Sequence, residues 1–366
     1  MTQLKETEID IPIPGDSEGT FRQLEQAVDD QFGDDLEPVR FVVNKTADGH
    51  YRCEVGVIEG ADRARRAETP SIFEFRRRDF ADESDFNVAF LVPTGIGCEI
   101  GGHAGDANAA AKLVGQVCDT LLTHPNVVNA SDVNELPDNG LYVEGSIITR
   151  LMMGTVGLRP VRSNRVLTVM DAHDDEMFRH VTINSVSTAR ASYGMTSADV
   201  VALDPSIRME AEYAPSGRAV GRVDNLDGLF ELLDERAGDY DAVALSTGIQ
   251  VPENYHLDYF RAGGEMVNPW GGVEAILTHA ISHIYNVPTA HAPMELNREI
   301  SALDPGVVDP RMAAEAISTG YLLCALKGLQ QSPSIVTQPR HFAQDGVLSA
   351  RDVSCLVIPD KCIGLP

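Results

Sequence analysis

Lysine is scarce in this chain. It occurs only at Lys5, Lys45, Lys112, Lys327 and Lys361, and the formal net charge of the 366 residues is −26. A field of that sign repels nucleic acid and anionic membrane, and no basic tract compensates, so neither is expected as a partner. No apolar run approaches membrane-spanning length, and the N-terminus lacks a charged-then-apolar leader. The six cysteines form no C-x-x-C pair, which fits a reduced, cytoplasmic setting better than a disulfide framework. Also missing are a Gly-Lys-Ser/Thr phosphate loop, a G-x-S-x-G nucleophile elbow and an H-E-x-x-H metal helix. What remains is an acidic protein with ample length for a core and a small-molecule partner; a homo-oligomer is left open.

The most informative stretch runs from Asn87 to Asp119. A buried-strand run, Val88 to Val92, leads into Thr94, Gly95, Gly97, Gly101, Gly102, Gly105 and Asp106. A helical stripe of Ala107, Ala110, Ala111, Val114, Val117 and Cys118 follows. Strand, glycine-rich turn and helix make the first unit of an anion- or nucleotide-binding α/β domain. The spacing departs from G-x-G-x-x-G, and the second strand ends at His124 rather than at an acid. The glycines therefore read either as a ligand cradle or as a tight turn.

Before this stretch, residues 1–16 are polar with two prolines and are expected to be a disordered tail. Residues 17–85 read as a small α+β module. Phe21, Leu24 and Val28 mark a helix ended by Gly33, and 39–44 and 51–58 form a hairpin around Asp48-Gly49. Ser71–Phe75 adds a strand candidate.

From 86 to 366 strands and helices alternate. Strands are predicted at 87–92, 120–123, 140–143, 165–170, 199–203, 241–246, 287–290 and 353–358. Helices are predicted at 104–118, 146–153, 174–193, 224–236, 271–286 and 310–328. The alternation predicts an α/β domain with a mostly parallel, doubly wound, Rossmann-like sheet.

In such a sheet ligands bind beyond the carboxyl ends of the strands. Thr94, Gly95 and Gly97 follow the first strand; His124, Asn126 and Asn129 follow the second; Glu144 follows the third. Asp171 follows the fourth, His291 the seventh, and Cys362 the last. Each also has a structural reading: His124 and His291 as loop histidines bonded to backbone, Glu144 as a salt-bridge partner, Asp171 as a helix cap. A carboxylate leaving an apolar strand, as Glu144 does, is expected to have a raised pKa. His279 and His283 lie four apart and could pair on a metal, but read as surface or core histidines. Cys98 and Cys362 sit in glycine-rich loops, where a thiol could be activated.

Several motifs together resemble one bacterial family, the uncharacterised domain of unknown function 3326. They are Pro-Thr-Gly-Ile-Gly (93–97), Ile-Gly-Gly-His-Ala-Gly-Asp (100–106), Thr-His-Pro-Asn-Val (123–127) and Leu-Tyr-Val-Glu-Gly (141–145). Gly-Gly-Val-Glu-Ala-Ile (271–276) and Ala-His-Ala-Pro (290–293) complete the set. The resemblance covers about 87–366 and implies an α/β fold without an assigned activity. It gives weight to His124, Asn126, Glu144, His291 and the loop at Cys362. Cys98, His103 and His283 depart from it.

The leading expectation is an enzyme acting on a small polar or anionic metabolite by acid–base chemistry, an isomerase, lyase or hydrolase without a redox cofactor. His124, Glu144 and His291 would be catalytic. Thr94, Gly95, Gly97, Gly101, Gly102, Asp106, Asn126, Asn129, Asp171 and Cys362 would bind substrate. One alternative is a divalent-metal enzyme ligated by His124, His291 and Glu144 or Asp171. Another is a non-catalytic metabolite-binding protein.

Overall fold

A computed structural model describes residues 2–15, 19–33, 36–60, 69–80, 85–93, 107–128, 136–252, 254–317 and 320–360. The N-terminal part contains β1 (Gln3–Pro12), α1 (Thr20–Phe32), β2 (Leu36–Ala47) and β3 (His50–Glu59). Next come β4 (Asn87–Phe90), α2 (Asn108–Gly115), β5 (Thr120–Thr123), β6 (Gly140–Tyr142) and α3 (Gly145–Met152). They are followed by β7 (Gly157–Arg159), β8 (Arg165–Asp171), α4 (Glu176–Tyr193), β9 (Thr196–Leu203), β10 (Arg208–Tyr213) and β11 (Ala219–Asp224). Then come α5 (Asp227–Glu235), β12 (Ala242–Ser246), β13 (Ile249–Gln250), α6 (Tyr255–Arg261), α7 (Gly271–Tyr285) and β14 (Thr289–His291). The chain continues through α8 (Arg298–Ser301), α9 (Ala313–Ile317), α10 (Tyr321–Gln331), β15 (Ser334–Val336) and β16 (Val353–Val357).

The expected tail is in fact a long strand. β1 pairs antiparallel with β3 along its whole length and with β11 at Leu4 and Lys5. Its two faces enter different cores. Ile9 and Ile11 pack with Leu24 and Val28 of α1 and with Cys53, Val55 and Val57 of β3. Leu4, on the opposite face, joins Ile58, Val223, Val273 and Ile276. The mostly polar sequence hides this, because Glu6 is a buried member of an ion network rather than a solvated residue. Arg40 pairs with both Glu6 and Glu54, and Arg218 reaches Glu54 at 2.8 Å. Ser71–Phe75, expected as a strand, is a turn that puts Phe73 into the α1 core.

The six-stranded sheet has the order β13-β10-β11-β1-β3-β2, so strands from both sides of residue 86 build it. Its inner face carries α7. This helix is apolar around most of its circumference, with Gly272, Val273, Ala275 through Thr278 and Ala280 through His283 buried. Such a helix belongs in a core. Two glycines set its distance from the sheet. A Cβ on Gly272 would lie 2.2 Å from the Ala219 carbonyl oxygen, and one on Gly221 2.5 Å from Val273 Cβ.

Parallel strands are present as expected, but in two sheets rather than one. Their orders are β16-β4-β5-β6 and β14-β12-β8-β9. Helix α10 lies in the core they share, with Leu322, Ala325, Leu326 and Leu329 packed among Val88, Leu121, Tyr142, Ala242, Ala244 and Ala290. A short antiparallel pair, β7 with β15, stands apart from both. Alternation along a chain predicts strands and helices, but not which strands pair. That is why one continuous sheet was the simplest expectation.

Candidate functional site

The carboxyl ends of the two parallel sheets each carry a polar cluster, and α7 touches both. At the first, β5 ends at Thr123 and His124 follows, 7 % exposed. The backbone N–H of Val92, just past β4, donates to His124 Nε2 at 2.9 Å. The Asn126 side-chain amide donates to the Val92 carbonyl at 3.1 Å. These residues clamp two strand ends together, and that His124 nitrogen is not open to a substrate. Burial pushes the His124 pKa down to about 4; the Glu144 charge opposes this and His279 adds to it. The ring is therefore neutral at physiological pH, as an acceptor must be.

Glu144 follows β6 and caps α3. Its Oε2 accepts from the N–H of Ser146 at 2.8 Å, from that of Ile147 at 3.3 Å and from the Ser146 hydroxyl. Three donors on one oxygen at a helix N-terminus favour a carboxylate over a carboxylic acid. Oε1 faces His279 Nδ1 at 2.6 Å and accepts from the Thr278 hydroxyl at 3.4 Å. The raised pKa expected for Glu144 is therefore reversed. Burial pushes it up, but His279, the Ser146 hydroxyl and the Ile147 N–H outweigh burial and hold it below the ordinary value. His279 is 15 % exposed at its side chain, against 3 % for Glu144.

At the second sheet, His291 ends β14 with both ring nitrogens engaged. Nδ1 lies 2.9 Å from Glu274 Oε1, and Nε2 lies 2.8 Å from the Thr247 hydroxyl. Asp171 ends β8, and its Oδ2 accepts from the Gly248 N–H at 2.7 Å. Asp171 is not the cap of α4; Asp175 is, accepting from Met177 N–H at 3.0 Å.

Glu274 and Thr278-His279 lie about one turn apart on α7, so one helix presents a carboxylate to His291 and an imidazole to Glu144. Burial raises the Tyr142 pKa, and the charges of Glu144 and Glu274 add to it. Among the described residues no hydrogen bond or ion pair joins Glu144 to His291. The structure thus groups His124, Asn126 and Glu144 at one sheet, groups Asp171 and His291 at the other, and links the groups through α7.

His279 and His283 lie one turn apart on α7. His283 is enclosed, and burial, with Arg150 and His279 adding to it, pushes its pKa down to about 3. In His124 and His291, three of the four ring nitrogens already have protein partners. Among the described residues no three His, Cys, Asp or Glu side chains form a metal-sized group. Thr94, Gly95, Gly97, Gly101, Gly102, Asp106, Asn129 and Cys362, with Cys98 and His103, lie outside the described residues.

Sequence reasoning missed three contributors, Thr247, Glu274 and Thr278, and weighed His279 only as a metal partner of His283. The strand-end rule applied to β12 would have found Thr247. Glu274 stood in a quoted motif, but its role depends on a helix-to-strand contact.

The motifs at both clusters fall inside a single family match covering residues 87–366. The chain belongs to the family of proteins of unknown function designated DUF3326. It is similar to an uncharacterized lipoprotein of Synechococcus sp., at 32 % identity over 282 residues, covering 75 % of this chain and 76 % of the relative. No solved structure matches. The name of that relative points to membrane anchoring and overturns the cytoplasmic location expected from the cysteines. Cysteine pairing reports redox chemistry and is silent about a lipid attached outside the fold. Among the described residues no helix is long and apolar enough to cross a membrane.

Proposed function

We propose that this protein is an enzyme that moves protons on a small polar or anionic metabolite, at the carboxyl edge of its parallel sheets. One observation carries the reading: Glu144 is buried, fixed by a helix N-terminus, and held 2.6 Å from Nδ1 of the partly exposed His279. With the carboxylate beside Nδ1, the imidazole's Nε2 is the nitrogen that would exchange a proton with substrate. His124 and Asn126 hold the strand ends that frame the site. The glycine-rich segment after β4 would receive a carboxylate or developing oxyanion. Isomerisation, elimination and hydrolysis all fit this set. We also read the β14-β12-β8-β9 sheet as a Rossmann-like platform on which the ligand lies.

The test is turnover. Small 2-hydroxy, 2-amino and 2-oxo acids are incubated with the protein in D2O, and solvent exchange and new products are followed by NMR. Glu144→Gln and His279→Gln should each lower the rate on any substrate found by on the order of 100-fold or more. Wild-type rates in both variants would remove the proposed roles.

The lipoprotein name of the Synechococcus relative favours a second reading, a metabolite-binding protein held at a membrane. Binding without product formation would support it.

A further inference from the structure

The β14-β12-β8-β9 sheet reverses direction between β8 and β12: the chain steps from β8 to β9 on one side, then returns to place β12 on the other. Loops leaving the two strands part at such a point and open a crevice. Asp171 ends β8 on one lip, Gly248 follows β12 on the other, and the Gly248 N–H donates to Asp171 Oδ2 across it at 2.7 Å. Asp171 is 7 % exposed, and its second oxygen, Oδ1, is enclosed without a hydrogen-bond partner. A buried carboxylate oxygen with no donor is rare in a native fold and calls for an explanation.

The surroundings narrow the explanation. Burial raises the Asp171 pKa to about 6, against the Gly248 N–H, Ser206 and the charges of His291 and His173. No lysine or arginine is among these neighbours. On the loop and helix that follow β8, Asp174, Asp175, Glu176, His180 and Arg298 line an open cavity of about 740 Å³. Arg298 is already paired with Asp175 at 2.6 Å, so the rim is acidic. An anionic group placed here would meet carboxylates. An ammonium would supply both the missing donor and the missing charge.

We propose that Asp171 anchors the primary ammonium of a small amine-bearing substrate at this crevice. The inference names the substrate class for the site proposed above and rests on that site being a ligand site, though not on the proton-transfer roles of Glu144 and His279.

Asp171→Asn keeps the shape and an acceptor for Gly248 while removing the charge. Melting temperatures of wild type and variant are compared at pH 7.5 and pH 4.5, alone and with ethanolamine, ethylene glycol or glycolate. Without ligand, the variant should melt above wild type at pH 7.5, and the gap should narrow toward pH 4.5 as the wild-type carboxyl takes up its proton. Ethanolamine should raise the melting temperature of wild type at pH 7.5 but not that of Asp171→Asn. Ethylene glycol and glycolate should raise neither. His279→Gln should keep the ethanolamine response, so failure of the proton-transfer reading leaves this result standing.

If Asp171→Asn does not fold, ligand-observed NMR on wild type takes its place. Ethanolamine binding should then fade between pH 7.5 and 4.5, as Asp171 becomes neutral. The assignment is overturned if ethanolamine has no effect on wild type, if glycolate matches it, or if the variant or pH 4.5 leaves its effect unchanged. A variant that folds but melts below wild type at both pH values overturns it as well.

Discussion

Replacing His124 with glutamine should flatten the acid limb of this protein's stability. Burial pushes the folded pKa down to about 4 from the ordinary histidine value of 6.5. Between those values the unfolded chain binds a proton that the folded chain refuses, so stability is lost as the pH falls from 6.5 toward 4. The difference corresponds to roughly 3 kcal/mol. Most of this falls between pH 7.5 and 4.5. Glutamine can still accept the Val92 N–H but does not titrate. Urea unfolding at both pH values, at fixed ionic strength, gives the loss for each protein. Subtracting one from the other cancels groups common to both, including His283, which acts in the same direction, and Asp171, which acts oppositely. Wild type should lose about 2 to 3 kcal/mol more than the variant. Equal losses would mean that His124 is not held neutral by burial, and the clamp built on its Nε2 would fall with it.

Glu144→Ala should cost about 3 kcal/mol in urea unfolding at pH 7.5, because it strips the α3 cap and leaves His279 without its partner. A cost under about 1 kcal/mol would show that the carboxylate adds little beyond an ordinary cap. Gly272→Ala sets two effects against each other. Helix propensity favours alanine by at most about 1 kcal/mol, while its Cβ would sit 2.2 Å from the Ala219 carbonyl oxygen. Forcing α7 off the sheet costs about 1–3 kcal/mol, so the melting temperature should fall. A rise would mean that the helix shifts freely.

Apolar periodicity alone located most of the elements. The β4–β6, β8, β9, β12, β14 and β16 segments all lie at or within a few residues of their predicted positions, because runs such as Val166–Met170 have no other stable use. The strand-end rule likewise placed His124, Glu144, Asp171 and His291 at carboxyl edges, since an apolar run stops where the chain leaves the core. What each side chain does there depended on partners distant in sequence. His124 receives an N–H from Val92, Glu144 meets His279 from a helix well over a hundred residues later, and His291 meets Glu274 and Thr247. Only packing decided that Glu144 sits below rather than above its ordinary pKa, because three donors and an imidazole outweigh burial there. The division of the parallel strands into two sheets, and the capture of β1 by strands from both sides of residue 86, were also tertiary decisions. Strand pairing joins backbone groups that carry no side-chain label, so the register and order of a sheet are written in how the whole chain packs.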